Sequence, residues 1–224
     1  MRAIWAIIPV KQLTHAKQRL GGLLNGEERR ALGLAMLEDV LSALNQSRGL
    51  AGIMLVSSDP QACDLGRHYG ARILPDSAQG LNAAVSAAAR LLAGEGVNGA
   101  LVLHGDIPLA RAEEIERLIA ACEATPAIAI APDTARDGSN AMLAAPPDLI
   151  AFRYGRASFA AHLDEAAQCG VTPQVLDLPG LAFDVDEPDD LFTLTEMPGN
   201  SRAQHYLRAL RLGDRSPAIA AQTR

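Results

Sequence analysis

Short apolar runs alternate with longer amphipathic stretches along the first half of the chain, and that alternation sets the fold class. Ala3–Val10 is a continuous apolar run with Pro9 near its end, the pattern of a strand buried on both faces. Lys11–Gly22 is polar and closes on Gly21-Gly22, which predicts a loop. From Glu27 to about Gln46, Leu34, Leu37, Val40, Leu41 and Leu44 recur at helical spacing. Gly52–Ser57 is the next strand, stopped by Ser58-Asp59-Pro60, which caps a short helix. Ala71–Leu74 predicts a third strand, Pro75–Gly80 a loop, and Leu81–Ala93 an Ala-rich helix. Ala100–His104 is a fourth strand that runs into Gly105-Asp106-Ile107-Pro108, followed by a helix over Ala112–Ala124 and a strand over Ala127–Ala131.

Beyond Ala131 the strict alternation fails. A polar stretch, Pro132–Asn140, precedes a strand over Met142–Ala145 and a helix over Ser158–Gln168. Gln174–Leu178 and Leu181–Val185 read as short strands, and Pro188–Glu196 as a helix with Pro188 in its first turn. Strands alternating with helices give an α/β fold of Rossmann-like type, a mostly parallel mixed sheet with helices on both faces. Residues 1–197 read as a single domain. Residues 198–224 read as a C-terminal segment, a short packed helix and then a disordered tail from Pro217 onwards. Its arginines, Arg202, Arg208, Arg211 and Arg215, offer a surface for a second copy, so a homodimer is the protein partner this segment allows.

Composition narrows the function classes. With 49% hydrophobic and 21% charged residues over 224 positions, the chain is that of a globular protein. A net charge of -6 without a basic block, and only 4% aromatics, argue against nucleic acid as a partner. No apolar run approaches the roughly 18 residues of a spanning helix, so no membrane partner is expected. Cys63, Cys122 and Cys169 form no closely spaced pair and read as reduced thiols of a cytoplasmic protein. One detail stands apart: among 20 basic residues only Lys11 and Lys17 are lysines, and they lie six positions apart.

Ligands of an open parallel sheet bind beyond the carboxyl ends of its strands, and the loops leaving those ends here are polar. Lys11, Lys17 and Arg19 follow the first strand, three cations able to hold a polyphosphate, although the loop is no P-loop and no G-x-G-x-x-G occurs. Gly105-Asp106 puts a carboxylate at the end of the fourth strand. In Phe183-Asp184-Val185-Asp186, strand alternation places Asp184 and Asp186 on one side; Asp186 is also a candidate helix cap. Two same-side carboxylates repel unless a cation or proton lies between them; with Asp106 they make three hard oxygen donors suited to Mg²⁺. Ser158, after Tyr154-Gly155-Arg156-Ala157, reads as the cap of the helix through His162.

Together these pieces resemble the guanylyltransferases of coenzyme F420 biosynthesis, the family that joins GMP to a small phosphorylated carboxylic acid. The pieces are Pro9-Val10-Lys11, Ala16-Lys17-Gln18-Arg19-Leu20, Gly80-Leu81-Asn82 and Gly105-Asp106-Ile107-Pro108. Gly138-Ser139-Asn140, Gly155-Arg156-Ala157-Ser158-Phe159 with His162, and Asp184-Val185-Asp186 follow in the family's order. The resemblance implies a single nucleotidyltransferase domain of the type shared by nucleotide-sugar pyrophosphorylases. It implies Mg²⁺ on Asp106, Asp184 and Asp186, and the GTP triphosphate on Lys11, Lys17 and Arg19. Gly80 and Asn82 would lie at the guanosine, and Ser139, Asn140, Gly155 and Ser158 at the acceptor's phosphate. Family members often carry Thr where Ser139 stands. The implied partners are GTP and 2-phospho-L-lactate, phosphoenolpyruvate or 3-phospho-D-glycerate. A molybdenum-cofactor or sugar-phosphate nucleotidyltransferase of the same fold is the competing enzyme, and a non-catalytic nucleotide-binding module the competing class.

Overall fold

The computed structural model describes residues 3–15, 17–77 and 80–212. The tail expected to be disordered, Pro217 onwards, lies outside the described residues. The first half follows its pattern: β1 (Ile4–Pro9), α1 (Gly26–Gln46), β2 (Leu50–Val56), α2 (Pro60–His68), β3 (Arg72–Leu74), α3 (Leu81–Gly94), β4 (Gly99–Leu103) and α4 (Ala112–Ala120). After these come β5 (Ala127–Pro132), β6 (Ser139–Ala145), α5 (Ser158–Gln168), β7 (Gln174–Val175), the single turn α6 (Pro179–Ala182), α7 (Pro188–Glu196) and α8 (Arg202–Leu210).

The seven strands form one sheet in the order β3-β2-β1-β4-β6-β5-β7. Every neighbouring pair is parallel except those of β6, which runs antiparallel to both β4 and β5. The chain leaves β1 with β2 on one side and β4 on the other, which opens a crevice at their carboxyl ends. Because β6 is reversed, with Ala141 opposite Leu103, its first residues reach that same edge. Side-chain alternation splits the core between the faces: Ala6, Ile8, Leu101 and Leu103 pack toward α1 and α4, Ile7, Ala100 and Val102 toward α3 and α5.

Three expectations need correction. Lys11–Gly22 is not a plain loop but holds two 3-10 turns, Leu13–His15 and Gln18–Gly22. Its position is set by Asp59, which caps α2 with Oδ1 and accepts from the Leu13 N–H with Oδ2 at 3.0 Å. Leu181–Val185 is not a strand: Pro179 starts the turn α6, and Leu181 and Val185 are buried away from the sheet ladder. Ser158 is not the cap of α5; Ala157 takes that position with φ 53°, and Ser158 is the first helical residue.

A third apolar cluster ties the chain's two ends together. Leu20 and Leu24 from the loop after β1, Leu32 and Met36 from α1, Val185, Leu191 and Leu194 around α7, and Ala203 and Leu207 from α8 are all buried in it. Asp39 of α1 fastens α8 by accepting from the Arg202 N–H at 2.8 Å and the Ala203 N–H at 3.0 Å, so it acts as a cap from another helix. Asp39→Ala is expected to cost about 2 kcal/mol, the worth of two charge-assisted hydrogen bonds less solvent compensation. Thermal denaturation should show a melting point lower by about 5 °C; an unchanged one would deny α8 this anchor.

Candidate active site

At the crevice, β1 delivers the cationic loop and β4 delivers His104-Gly105-Asp106. Lys17 adopts a left-handed backbone, φ 54° and ψ 44°, which turns its side chain between two carboxylates. Its Nζ donates to Asp106 Oδ2 and to Asp186 Oδ1, each at 2.6 Å. Burial opposes the ammonium's charge, but Asp106 and Asp186 outweigh it and hold the lysine pKa well above its ordinary value. An ammonium has three donors, so two are spent here and one remains for a ligand. Burial likewise favours protonation of Asp106, yet Lys17 beside it keeps that carboxyl below its usual range. Asp106 Oδ1 is buried with no hydrogen-bond partner among the described residues.

Asp184 stands beside this pair, accepting from Asn140 Nδ2 at 3.2 Å. Its pKa is pushed up to about 6, chiefly by burial and then by the negative charge of Asp106. Arg19 donates to Glu187 Oε1 at 2.7 Å on the rim. Asp186 is not the cap of α7: Glu187 holds that position, and Asp190 Oδ2 accepts from the backbone N–H groups of both Asp186 and Glu187. That turn presents the Asp186 carboxylate to Lys17.

The cleft around Lys17 measures about 910 Å³ and is lined by Lys11, Lys17, Arg19, Gly80, Asp106 and Asp186 among others. Asp186 also borders a second cleft of about 710 Å³, on which Asp184 opens. A pocket holding both lysines of the chain, an arginine and aspartates on opposed loops is the arrangement expected for a nucleoside triphosphate. Residues 4–222 match the family described as guanylyl transferase CofC like. The chain belongs to this family.

The guanylyltransferase family resemblance carried by the motifs is thus borne out. Two relatives align over most of the chain. The phosphoenolpyruvate guanylyltransferase of Roseiflexus castenholzii is 40% identical over 206 residues, covering 92% of this chain and 94% of that protein. The 3-phospho-D-glycerate guanylyltransferase of Colwellia psychrerythraea is 35% identical over 186 residues, 83% of this chain and 88% of that one. Among solved structures, a protein from Desulfovibrio desulfuricans G20 classed with the nucleotide-diphospho-sugar transferases superposes with a TM-score of 0.76 at 18% identity. That match covers 93% of this chain and 95% of the other, a likeness of fold.

The remaining candidate residues of the guanylyltransferase fall elsewhere. Asn82 does not line either cleft; its side chain clasps the Tyr154 backbone, accepting from N at 2.7 Å and donating to O at 3.0 Å. Ser139, Asn140 and Ser158 are buried at the start of β6 and of α5, and the Ser139 N–H donates to Ser158 Oγ at 3.0 Å. Gly155 has φ 138°, a conformation suited to glycine, and open space where a side chain would stand. Among the described residues, no three His, Cys, Asp or Glu side chains are gathered as they stand around one metal position. Lys17 Nζ bridges Asp106 and Asp186.

Sequence reasoning missed two groups. His104 lines the cleft with its Nε2 buried and unpartnered among the described residues. Burial lowers its pKa, against the opposing charge of Asp106, so it is a neutral imidazole in this site. Its place directly before Gly105-Asp106 is the signal that could have marked it. Glu187 directly follows Asp186, and its pairing with Arg19, 168 positions away, has no local signature. No described helix is long and apolar enough to cross a membrane.

Proposed function

We propose that this guanylyltransferase transfers GMP from GTP to a small phosphorylated carboxylic acid of the class that includes phosphoenolpyruvate, 3-phospho-D-glycerate and 2-phospho-L-lactate, releasing pyrophosphate. The observation that carries the reading is Lys17 Nζ at 2.6 Å from both Asp106 and Asp186, in the crevice where β1 and β4 end. The names of the Roseiflexus and Colwellia relatives support the acceptor class.

The residues of the chain divide the work. Lys11, Lys17 and Arg19 bring positive charge to the triphosphate, with Gly80 lining the same cleft. Ser139, Asn140, Gly155 and Ser158 are assigned to the acceptor's phosphate. An oxygen of that phosphate attacks the α-phosphorus of GTP in line, the α–β bridging bond breaks, and its electron pair leaves with pyrophosphate. A phosphate is already ionised at neutral pH, so no side chain has to remove a proton. Positioning and charge neutralisation supply the rate.

The carboxylates suit a divalent cation of the hard type. Asp106 keeps an unpartnered buried oxygen, and Asp184, its pKa raised by burial first and by the charge of Asp106 second, stands beside it. Asp106, Asp184 and Asp186 would hold Mg²⁺, which when bound would neutralise charge on the reacting phosphates. Lys17 draws on two of these carboxylates, Asp106 and Asp186, so ammonium and cation share one pool of negative charge.

Pyrophosphate release from GTP, measured with each acid alone and in competition, tests the reading. At least one acid should support GTP-dependent release, and CTP or UTP should not replace GTP. If no acid supports release with any nucleotide, the reading fails; release with a sugar phosphate in place of the acids would favour the competing transferase.

A further inference from the structure

His162 lies in the second turn of α5, has no solvent exposure, and makes two hydrogen bonds with its ring. The Arg153 backbone N–H donates to Nε2 at 2.9 Å. An amide N–H can only donate, so Nε2 must be the unprotonated nitrogen. Burial pushes the pKa of this histidine down to about 4, so the ring is neutral and its one proton is on Nδ1. Nδ1 lies 3.0 Å from Ser139 Oγ, and with this tautomer the bond has one direction: Nδ1–H donates and the serine oxygen accepts.

The consequence passes along the serines. Ser139 Oγ accepts from His162, so its own hydroxyl proton is left to donate elsewhere. Ser158 Oγ accepts from the Ser139 N–H at 3.0 Å, which leaves its hydroxyl proton in the same condition. Neither proton is hydrogen-bonded to an acceptor among the described residues. Two hydroxyls held as donors at the mouth of β6 and the start of α5, beside the open backbone of Gly155, match the needs of an anion. The backbone at that point is pinned residue by residue, Arg153 by His162 and Tyr154 by Asn82. The Tyr154 ring packs edge-on against His162 at 4.8 Å between centroids, which fixes the imidazole plane.

We infer that His162 is a positioning residue for the acceptor: its Nδ1–H bond to Ser139 Oγ leaves the Ser139 hydroxyl proton free to donate to the acceptor's phosphate. The inference rests on the proposed function, which places that phosphate at Ser139 and Ser158. His162 itself touches no substrate and transfers no proton.

The test combines a spectroscopic and a kinetic readout on the full chain. Long-range ¹H–¹⁵N correlation of the histidine rings should show His162 protonated at Nδ1 alone; protonation at Nε2 overturns the inference whatever the kinetics. With the acid that supports turnover, His162→Phe and Ser139→Ala should each raise its KM about 10-fold, the loss of one hydrogen bond to a charged group. The KM for GTP should stay within 2-fold. The double variant should be no worse than either single one, because both break the same link. His162→Asn, whose side-chain amide restores a donor near Nδ1, should recover part of the loss; it also carries the test if His162→Phe does not fold. Ser139→Ala raising the acid's KM while both His162 variants leave it unchanged would overturn the role of His162 and spare the proposed function. An unaltered KM in Ser139→Ala overturns the inference through its first premise. Absence of turnover with any acid in the unmodified enzyme removes the proposed function itself.

Discussion

Asp106→Asn is expected to lower kcat by at least about 10³-fold, roughly 4 kcal/mol of lost transition-state stabilisation, while the protein keeps its fold. The substitution is nearly isosteric, and the amide oxygen can still accept from Lys17 Nζ. The Val185 N–H donates to the backbone carbonyl of residue 106 at 3.3 Å, a bond the side chain does not touch. What disappears is a full negative charge at the carboxyl end of β4, together with a buried carboxylate oxygen, Oδ1, that no described residue engages. Stability should therefore change little, since a buried charge with an imperfect shell is costly to keep. Steady-state pyrophosphate release together with thermal melting decides the matter. Activity within 10-fold of the unmodified enzyme would remove Asp106 from the chemistry; a collapse of the melting point would make it structural instead.

Lys17→Arg is the second large effect, a loss of about 100-fold in kcat/KM for GTP. Elsewhere the chain uses arginine for nearly every basic position, so the exchange is the mildest the sequence itself offers. At position 17 it is not mild. The ammonium is a point donor set between two oxygens at 2.6 Å, with only 10% of the side chain exposed. A guanidinium is a planar fork that cannot occupy this position without displacing Asp186 or leaving the pair. The raised pKa of Lys17 keeps it charged across the working range, so the loss should be the same at pH 6.5 and 8.5. Unchanged GTP kinetics would mean that the placement of the two lysines has no bearing on the nucleotide.

The parts of this structure written in local patterns were legible. Four parallel strands and their intervening helices follow from apolar runs and helical spacing, and Asp59-Pro60 marks the start of α2 as expected. The segment 181–185 misled because its apolar residues are buried without joining the ladder: Leu181 packs from α6 onto the core beneath the sheet, and Val185 joins the third cluster. Gly180, just before this segment, lets the turn pack closely, since any side chain there would run into Glu114 and the Leu109 carbonyl. The candidate residues were legible, but their pairing was not. Nothing in the spacing says that Lys17 will sit between Asp106 and Asp186, 89 and 169 positions away. Nor does a lone histidine in an amphipathic helix announce which nitrogen carries its proton. Asn82 is a further case: the motif marks it, while its spacing gives no sign that its side chain clasps the Tyr154 backbone.

That span of 169 positions has a bearing on how the protein is made. Six of the seven strands lie before residue 146, so most of the sheet can form while the chain is still growing. Asp186 follows Lys17 from the ribosome by about ten to thirty seconds at ordinary rates of synthesis, and α8, which closes the cluster behind it, later still. A nascent or truncated chain thus has its scaffold and its cationic loop but lacks the acidic turn that would face them. On the proposed function, a chain that stops short of Asp186 should therefore show no guanylyl transfer.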